Sequence, residues 1–151
     1  MTSESLLEAR VTQLFDQPSE QVFDAWLSPA WIGRWMFGPT VRDEEIVRLE
    51  LDPKVGGAFS FVVRRQGQEI DHVGEYFVID RPHQLSFSWG IRDANAHSSR
   101  VSIDIVPHGS GCELTLVHTL HPDWADYVSR TQAGWTKMLY ALGAALRMHH
   151  S

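Results

Sequence analysis

The sequence predicts an α+β fold in which a curved antiparallel sheet wraps around a long C-terminal helix. Three observations lead to this class. The segment PSEQVFDAWLSPAWIGRWMFG is helical in character near the N-terminus, and a long helical stretch from about Asp123 to His149 closes the chain. Between them lie short strand-like runs, and only the first connection is long enough for a parallel crossover. A long sheet must twist, so wrapping the helix leaves a space between them.

The first elements are a strand from Arg10 to Phe15 and a helix that begins at Pro18-Ser19-Glu20. Proline is favoured in the first turn of a helix, and an acidic side chain is favoured near its N-terminus. The apolar residues of this helix recur at helical spacing and should face the core: Val22, Phe23 and Trp26.

A second short helix begins at Ser28-Pro29 and continues through about Met36. Trp31 and Trp35 are four residues apart, so they share one face of this helix. Phe37-Gly38-Pro39 ends it. These aromatic side chains are expected to cover one end of the space between sheet and helix.

Six further strands follow, each bounded by turn-forming residues. Glu45 to Leu51 alternates apolar and polar residues, which predicts a half-buried strand. A five-residue loop, Pro107 to Gly111, is expected to separate the last two strands, and Asp93-Ala94-Asn95 is expected to form another turn. The remaining strands are predicted over Ala58 to Arg64, Ile70 to Ile79, Gln84 to Trp89, Arg100 to Val106 and Glu113 to Leu120.

The last element is the long helix, which Asp123 is expected to cap because aspartate is favoured at helix N-caps. Its apolar residues recur at 3.6-residue spacing and predict a buried stripe. The stripe consists of Trp135, Met138, Leu139, Leu142 and Leu146. His149 and His150 follow as a loose C-terminus.

Composition excludes several classes of function. The net charge is −6 at pH 7, so the basic footprint of a nucleic-acid-binding protein is missing. No apolar run approaches the roughly 20 residues that span a bilayer, and MTSESLLEAR lacks the features of a signal peptide. The single Cys112 cannot form an internal disulfide, which favours a cytoplasmic location. Its neighbours Leu114 and Leu116 indicate an inert thiol within a strand.

Four segments, in this order, resemble the START-like (SRPBCC, helix-grip) superfamily, and within it the branch homologous to the activator of heat-shock protein 90 ATPase. The first is VFDAW at Val22 to Trp26, followed by Trp35. The second is VGGAFSF at Val55 to Phe61, and the third is GEYFVIDRPHQLSFSW at Gly74 to Trp89. The fourth is CELTLVHTL at Cys112 to Leu120, followed by Gly134-Trp135.

The resemblance implies a helix-grip fold, with a sheet of about seven strands around the C-terminal helix and a hydrophobic cavity between them. Residues 1–151 are expected to form one such domain. Members of the superfamily bind lipids, polyketides, plant hormones or other apolar molecules, and some catalyse reactions on them. The eukaryotic namesake of the branch stimulates a chaperone ATPase through an additional N-terminal domain, which is not expected in residues 1–151.

Two residues are candidates for acid–base chemistry. His118 shares a strand face with Leu116 and should point toward the cavity, where it could be a general base or a core histidine bonded to a backbone carbonyl or a tyrosine. Glu75 faces inward in one phase of its strand, where burial would raise its pKa. In the other phase His72 and Tyr76 face inward instead, and alternation alone leaves both phases open.

Metal and nucleotide sites are not predicted. His118 and His121 would point to opposite faces of a strand, so they could share a metal ion only if the chain turned between them. The sequence also contains no cysteine cluster, no His-Glu-x-x-His pattern and no phosphate-binding loop. No cofactor is therefore expected.

The leading hypothesis is a protein that binds a small apolar or amphipathic molecule in the helix-grip cavity. One alternative is a cyclase, dehydratase or hydrolase that acts on an aromatic or polyketide-like substrate through His118 or Glu75. Another is a chaperone cofactor or protein-interaction module, and a homodimer is a further option. The predicted ligand-binding residues are Trp31, Trp35, Phe37, Phe61, Tyr76, Phe87, Trp89, Ile103, His118, Trp135, Met138 and Leu142.

Overall fold

The computed structural model describes residues 7–37, 44–92, 99–120 and 122–148. The predicted turn at residues 93–95, Gly38-Pro39 and the two C-terminal histidines lie outside these ranges. The elements in chain order are β1 (Leu7–Phe15), α1 (Ser19–Asp24), α2 (Pro29–Trp35), β2 (Glu45–Leu51), β3 (Ala58–Arg65), β4 (Gln68–Asp80), β5 (Gln84–Ile91), β6 (Ser99–His108), β7 (Gly111–Leu120), a short 3-10 helix (Pro122–Tyr127) and α3 (Val128–Met148).

The seven strands form one sheet in the order β1-β7-β6-β5-β4-β3-β2. Every neighbouring pair is antiparallel. Because β1 and β2 lie at opposite edges, the connection that carries α1 and α2 must take the chain from one edge to the other. The predicted α+β class and helix-grip architecture are confirmed.

The core lies between the inner face of the sheet and the helices. The predicted stripe of α3 is buried, and the alternation of β6 is as predicted, with Val101, Ile103 and Ile105 buried while Asp104 is exposed. Ser28 caps α2, since its side chain accepts a hydrogen bond from the backbone N–H of Trp31 at 3.5 Å. None of the described helices is both long enough and apolar enough to cross a membrane.

The structure decides the phase of β4. His72 and Tyr76 are buried, whereas Glu75 is exposed. The register shifts between Tyr76 and Val78, and this bulge ends the strict alternation. The inward phase for Glu75 is therefore wrong.

Three other predictions are corrected. β2 is mostly exposed rather than half-buried, because it is an edge strand whose alternation a bulge between Ile46 and Arg48 interrupts. The five-residue loop is shorter than predicted, since His108 pairs with Gly111 and Gly109 supplies the positive φ of 61° that a tight turn uses. Asp123 does not cap α3, because it lies within the 3-10 helix that precedes it.

Candidate functional site

A small cavity lies between the inner face of the sheet and the helical connection. Its walls are Trp26 and Met36 on the helical side, and Phe59, Phe61, Tyr76, Phe87 and Trp89 on strands β3, β4 and β5. The cavity volume is about 10 Å³. A volume of that order holds about one water molecule. Between these seven side chains there is therefore room for about one water molecule.

The wall is built from aromatic rings in direct contact. The ring centroids of Phe59 and Phe61 are 4.6 Å apart and stacked, while Phe59 meets Phe87 edge to face at 5.7 Å. Both are geometries that aromatic pairs favour. Gly74 makes this packing possible, because a Cβ atom there would lie 2.4 Å from Cζ of Phe59 and 2.0 Å from the carbonyl oxygen of Ser88.

Four of the predicted ligand-binding residues line the cavity: Phe61, Tyr76, Phe87 and Trp89. The other eight lie outside its wall. Trp31 is half-buried beneath the guanidinium group of Arg34, which lies 5.1 Å from the ring centroid. The remaining seven are buried elsewhere in the core: Trp35, Phe37, Ile103, His118, Trp135, Met138 and Leu142.

Three residues of the cavity wall are not among the predicted ligand-binding residues: Trp26, Met36 and Phe59. Helical spacing predicted that Trp26 faces the core, and Phe59 lies within the predicted strand from Ala58 to Arg64. Neither pattern distinguishes a cavity wall from solid core. Met36 was predicted only as the approximate end of the second helix, and in the structure it follows the last residue of α2.

Three buried indoles near the cavity differ in their hydrogen bonds. Trp35 donates from Nε1 to the carbonyl oxygen of Ala25 at 3.0 Å, and Trp135 donates from Nε1 to Nδ1 of His118 at 3.0 Å. Trp26 is only 3% exposed, yet its Nε1–H has no acceptor among the described residues. Leaving such a donor buried and unpaired costs about 1–3 kcal/mol.

Tyr76 contributes the phenol of the cavity wall. Burial raises its pKa, and the charge of Asp52 raises it further. Tyr76 therefore stays protonated at neutral pH. Since the other wall residues are Trp, Phe and Met, no lining side chain carries a charge.

His118 is held in a directed chain of hydrogen bonds. Because an indole N–H can only donate, Nδ1 of His118 is the acceptor for Trp135, and the ring proton is on Nε2. Nε2–H then donates to Oγ of Ser99 at 2.6 Å, and the Ser99 hydroxyl donates to the carbonyl oxygen of Trp89 at 3.0 Å. The chain connects β5, β6 and β7 to α3.

This arrangement answers the question that the sequence left open for His118. Both ring nitrogens are occupied, so the residue is a satisfied core histidine whose partners are a tryptophan and a serine rather than a carbonyl or a tyrosine. Burial lowers its pKa from the ordinary value of 6.5 to about 4. In this geometry Nδ1 accepts from Trp135 and Nε2–H donates to Ser99, so neither ring nitrogen is available as a general base.

The pKa of His118 predicts a loss of stability in mild acid. The unfolded chain binds the proton below pH 6.5, whereas the folded protein resists it down to about pH 4, so stability is complete above pH 6.5 and falls with pH below it. Between pH 7 and pH 5 we expect the free energy of unfolding to fall by about 2 kcal/mol through this group. Urea denaturation at the two pH values measures it.

The matched variants are His118→Gln, which removes the titrating group, and His83→Gln, which alters an exposed histidine. The pH-dependent loss should disappear largely in His118→Gln and persist in His83→Gln. An unchanged loss in His118→Gln would show that other groups cause it.

The other polar candidates take structural positions. Glu75 lies on the outer face of β4, where its backbone N–H donates to Oγ of Ser88 at 2.9 Å. His72, on the inner face, donates from Nδ1 to the carbonyl oxygen of Phe61 at 3.1 Å, since a carbonyl can only accept. Cys112 is buried in β7, and burial raises the pKa of its thiol. The described residues include no cluster of three or more metal-ligating side chains.

A seven-stranded antiparallel sheet that grips a C-terminal helix is the START-like (SRPBCC) fold. Within this class, the family model for activator of Hsp90 ATPase homolog 1-like proteins matches residues 16–147. The chain belongs to that family, and the resemblance read from the sequence is confirmed. A comparison with curated proteins gives no match.

Solved structures share the fold at low sequence identity. A Rhodobacter sphaeroides protein is 20% identical with a TM-score of 0.80, over 97% of this chain and 100% of that one. CalU16 from Micromonospora echinospora is 21% identical with a TM-score of 0.66, over 95% of this chain and 85% of its own. DynU16, a protein of the dynemicin biosynthetic locus, is 18% identical with a TM-score of 0.75, over 93% of this chain and 47% of DynU16.

Proposed function

We propose that the protein binds a small apolar or amphipathic molecule between the sheet and the helices. The observation that carries the proposal is a cavity wall of seven uncharged, mostly aromatic side chains, one of which, Trp26, has a buried indole N–H without an acceptor among the described residues. Ligand sites are mostly apolar with a few placed polar groups, and this wall has that composition. The proposal places the protein in the cytoplasm, in keeping with its single cysteine.

Binding requires the wall to open, because a volume of about 10 Å³ is far smaller than the roughly 300 Å³ of the smallest typical ligand pockets. Met36 is the wall residue best suited to move. Its unbranched side chain adapts its shape more readily than the surrounding rings. It also lies directly after α2, outside the sheet that fixes the five strand residues.

The other hypotheses receive less support. Neither His118 nor Glu75 has the geometry of an acid–base group facing the cavity, so the enzyme hypothesis rests on the relatives alone. Among these, DynU16 is a protein of the dynemicin biosynthetic locus, and a shared fold does not fix function. The chaperone-cofactor hypothesis rests on the family name.

Native mass spectrometry of gently purified protein tests the proposal. We expect a fraction of the molecules to carry an additional mass of a few hundred daltons, and denaturing extraction should release it as an apolar compound. The denatured chain serves as the mass control. A bare chain mass, together with no binding of naphthalene-sized probes, would overturn the proposal.

A further inference from the structure

The unpaired indole N–H of Trp26 points to the chemistry of the ligand. We infer that the cavity takes a neutral aromatic molecule with a hydrogen-bond acceptor oxygen, a ketone or an ether, which accepts from Nε1 of Trp26. This inference rests on the proposed function and specifies its ligand class. Three observations support it: the hydrogen-bond partners of the buried indole N–H groups, the absence of charge among the seven side chains of the wall, and the aromatic ring contacts within the wall.

The pairing of the indoles singles out Trp26. It packs against Trp35 with ring centroids 4.5 Å apart and stacks on Trp135 at 5.8 Å. Both neighbours direct their N–H groups to acceptors within the protein, whereas Trp26 has none among the described residues. Because Trp26 also lines the cavity, a bound molecule can supply the missing acceptor. That pairing would remove the penalty of a buried donor.

The wall also discriminates by charge. None of its seven side chains is charged, so a bound carboxylate would lose its hydration without gaining a counterion. Burying an unpaired charge is far more costly than burying a neutral carbonyl that accepts one hydrogen bond. A neutral acceptor therefore suits this site, and fatty acids or other anions do not.

The aromatic rings favour a flat ligand. The rings of Trp26 and Phe87 are tilted by 47° with their centroids 6.3 Å apart, and those of Phe59 and Trp89 are tilted by 35° with their centroids 5.8 Å apart. Aromatic pairs gain about 0.5–1.5 kcal/mol beyond their area burial in stacked or edge-to-face geometry. A ligand ring that displaces Met36 would meet such surfaces from several wall residues.

Three probes of matched shape test the inference by isothermal titration calorimetry: 2-acetylnaphthalene, 2-isopropenylnaphthalene and 2-naphthoate. They differ in carrying a carbonyl oxygen, a methylene group or a carboxylate at the same place. In Trp26→Phe, we expect the affinity ratio of ketone to alkene to fall about fivefold relative to the wild type. In the wild type, 2-naphthoate should bind at least about tenfold more weakly than the ketone.

Trp35→Phe is the matched control. It removes an indole N–H that already has an acceptor within the protein, so the ratio of ketone to alkene should stay at the wild-type value. An indole ¹H–¹⁵N spectrum of the wild-type protein adds a test that needs no substitution. The Trp26 N–H resonance should move downfield with the ketone and less with the alkene.

The outcomes separate the two proposals. If the ketone and the alkene both bind, but their ratio is the same in Trp26→Phe and the Trp26 resonance moves equally with both, the inference is wrong and the proposed function stands. Equal binding of 2-naphthoate would overturn the requirement for a neutral ligand. If none of the probes binds, the inference is wrong, and native mass spectrometry then decides the proposed function: an additional apolar mass would support it, and a bare chain mass would overturn it.

Discussion

Gly74→Ala is expected to lower the free energy of unfolding by at least about 3 kcal/mol, or to prevent folding. The added Cβ would lie 2.0 Å from the carbonyl oxygen of Ser88 and 2.4 Å from Cζ of Phe59. The first atom belongs to the backbone of β5, so relief requires the two paired strands to separate. The second belongs to the cavity wall, so the Phe59 ring would have to leave its position. Chemical denaturation measures the loss.

Gly134→Ala is the control for that substitution. Gly134 lies in α3, and a Cβ there would meet no atom within 4 Å. Alanine has the higher helix propensity by up to about 1 kcal/mol, so this variant should be as stable as the wild type or more stable. Equal stability of Gly74→Ala and Gly134→Ala would contradict the packing described for β3, β4 and β5.

Met36→Ala is expected to lower stability by about 3 kcal/mol and to bind 2-acetylnaphthalene about tenfold more tightly than the wild type does. Met36 is 2% exposed and forms part of the cavity wall, so its truncation enlarges the cavity. A ligand that must displace this side chain in the wild type would find the space already open. Denaturation and calorimetry measure the two effects.

Met138→Ala is the matched control, since Met138 is also a buried methionine but lies on α3 outside the cavity wall. It should lose a similar amount of stability without a gain in affinity. If Met36→Ala and Met138→Ala bind 2-acetylnaphthalene with the same affinity, the probe binds outside the cavity wall. A gain in Met138→Ala alone would place the site against α3.

The fold could be predicted because its signals are local and repeated. β6 alternates without interruption, and α3 carries a full stripe of apolar residues, so their buried faces follow from period alone. The incorrect predictions arose where a bulge or a tight turn interrupts the local pattern. The bulge in β2 falls between Ile46 and Arg48, and the turn at Gly109 shortens a loop for which composition predicted five residues.

The candidate site was predicted less well than the fold. Strand alternation found Phe61, Phe87 and Trp89, since inward-facing aromatics of central strands point to the sheet–helix space. Alternation does not distinguish a residue of the cavity wall from a residue of the solid core. Some of the predicted ligand-binding residues therefore lie outside the cavity wall. The role that we propose for Trp26 depends on a hydrogen-bond acceptor that is missing around its N–H in the folded structure, and no sequence pattern contains that information.

The sequence also left open which face of β4 is buried. Both of its faces are partly apolar, so either Glu75 or Tyr76 could have faced inward. The register with β3 and β5 decides it, and that register depends on the bulge after Tyr76 and on the close approach of Phe59 over Gly74. These are contacts between residues distant in sequence.

A crystal structure of the protein with 2-acetylnaphthalene would show whether the aromatic wall around Trp26 opens to admit a ligand. We expect the naphthalene between Trp26, Phe59 and Phe87, the Met36 side chain displaced, and the ketone oxygen within about 3 Å of Nε1 of Trp26. A probe bound on the outer surface, with Met36 and the wall unchanged, would contradict it.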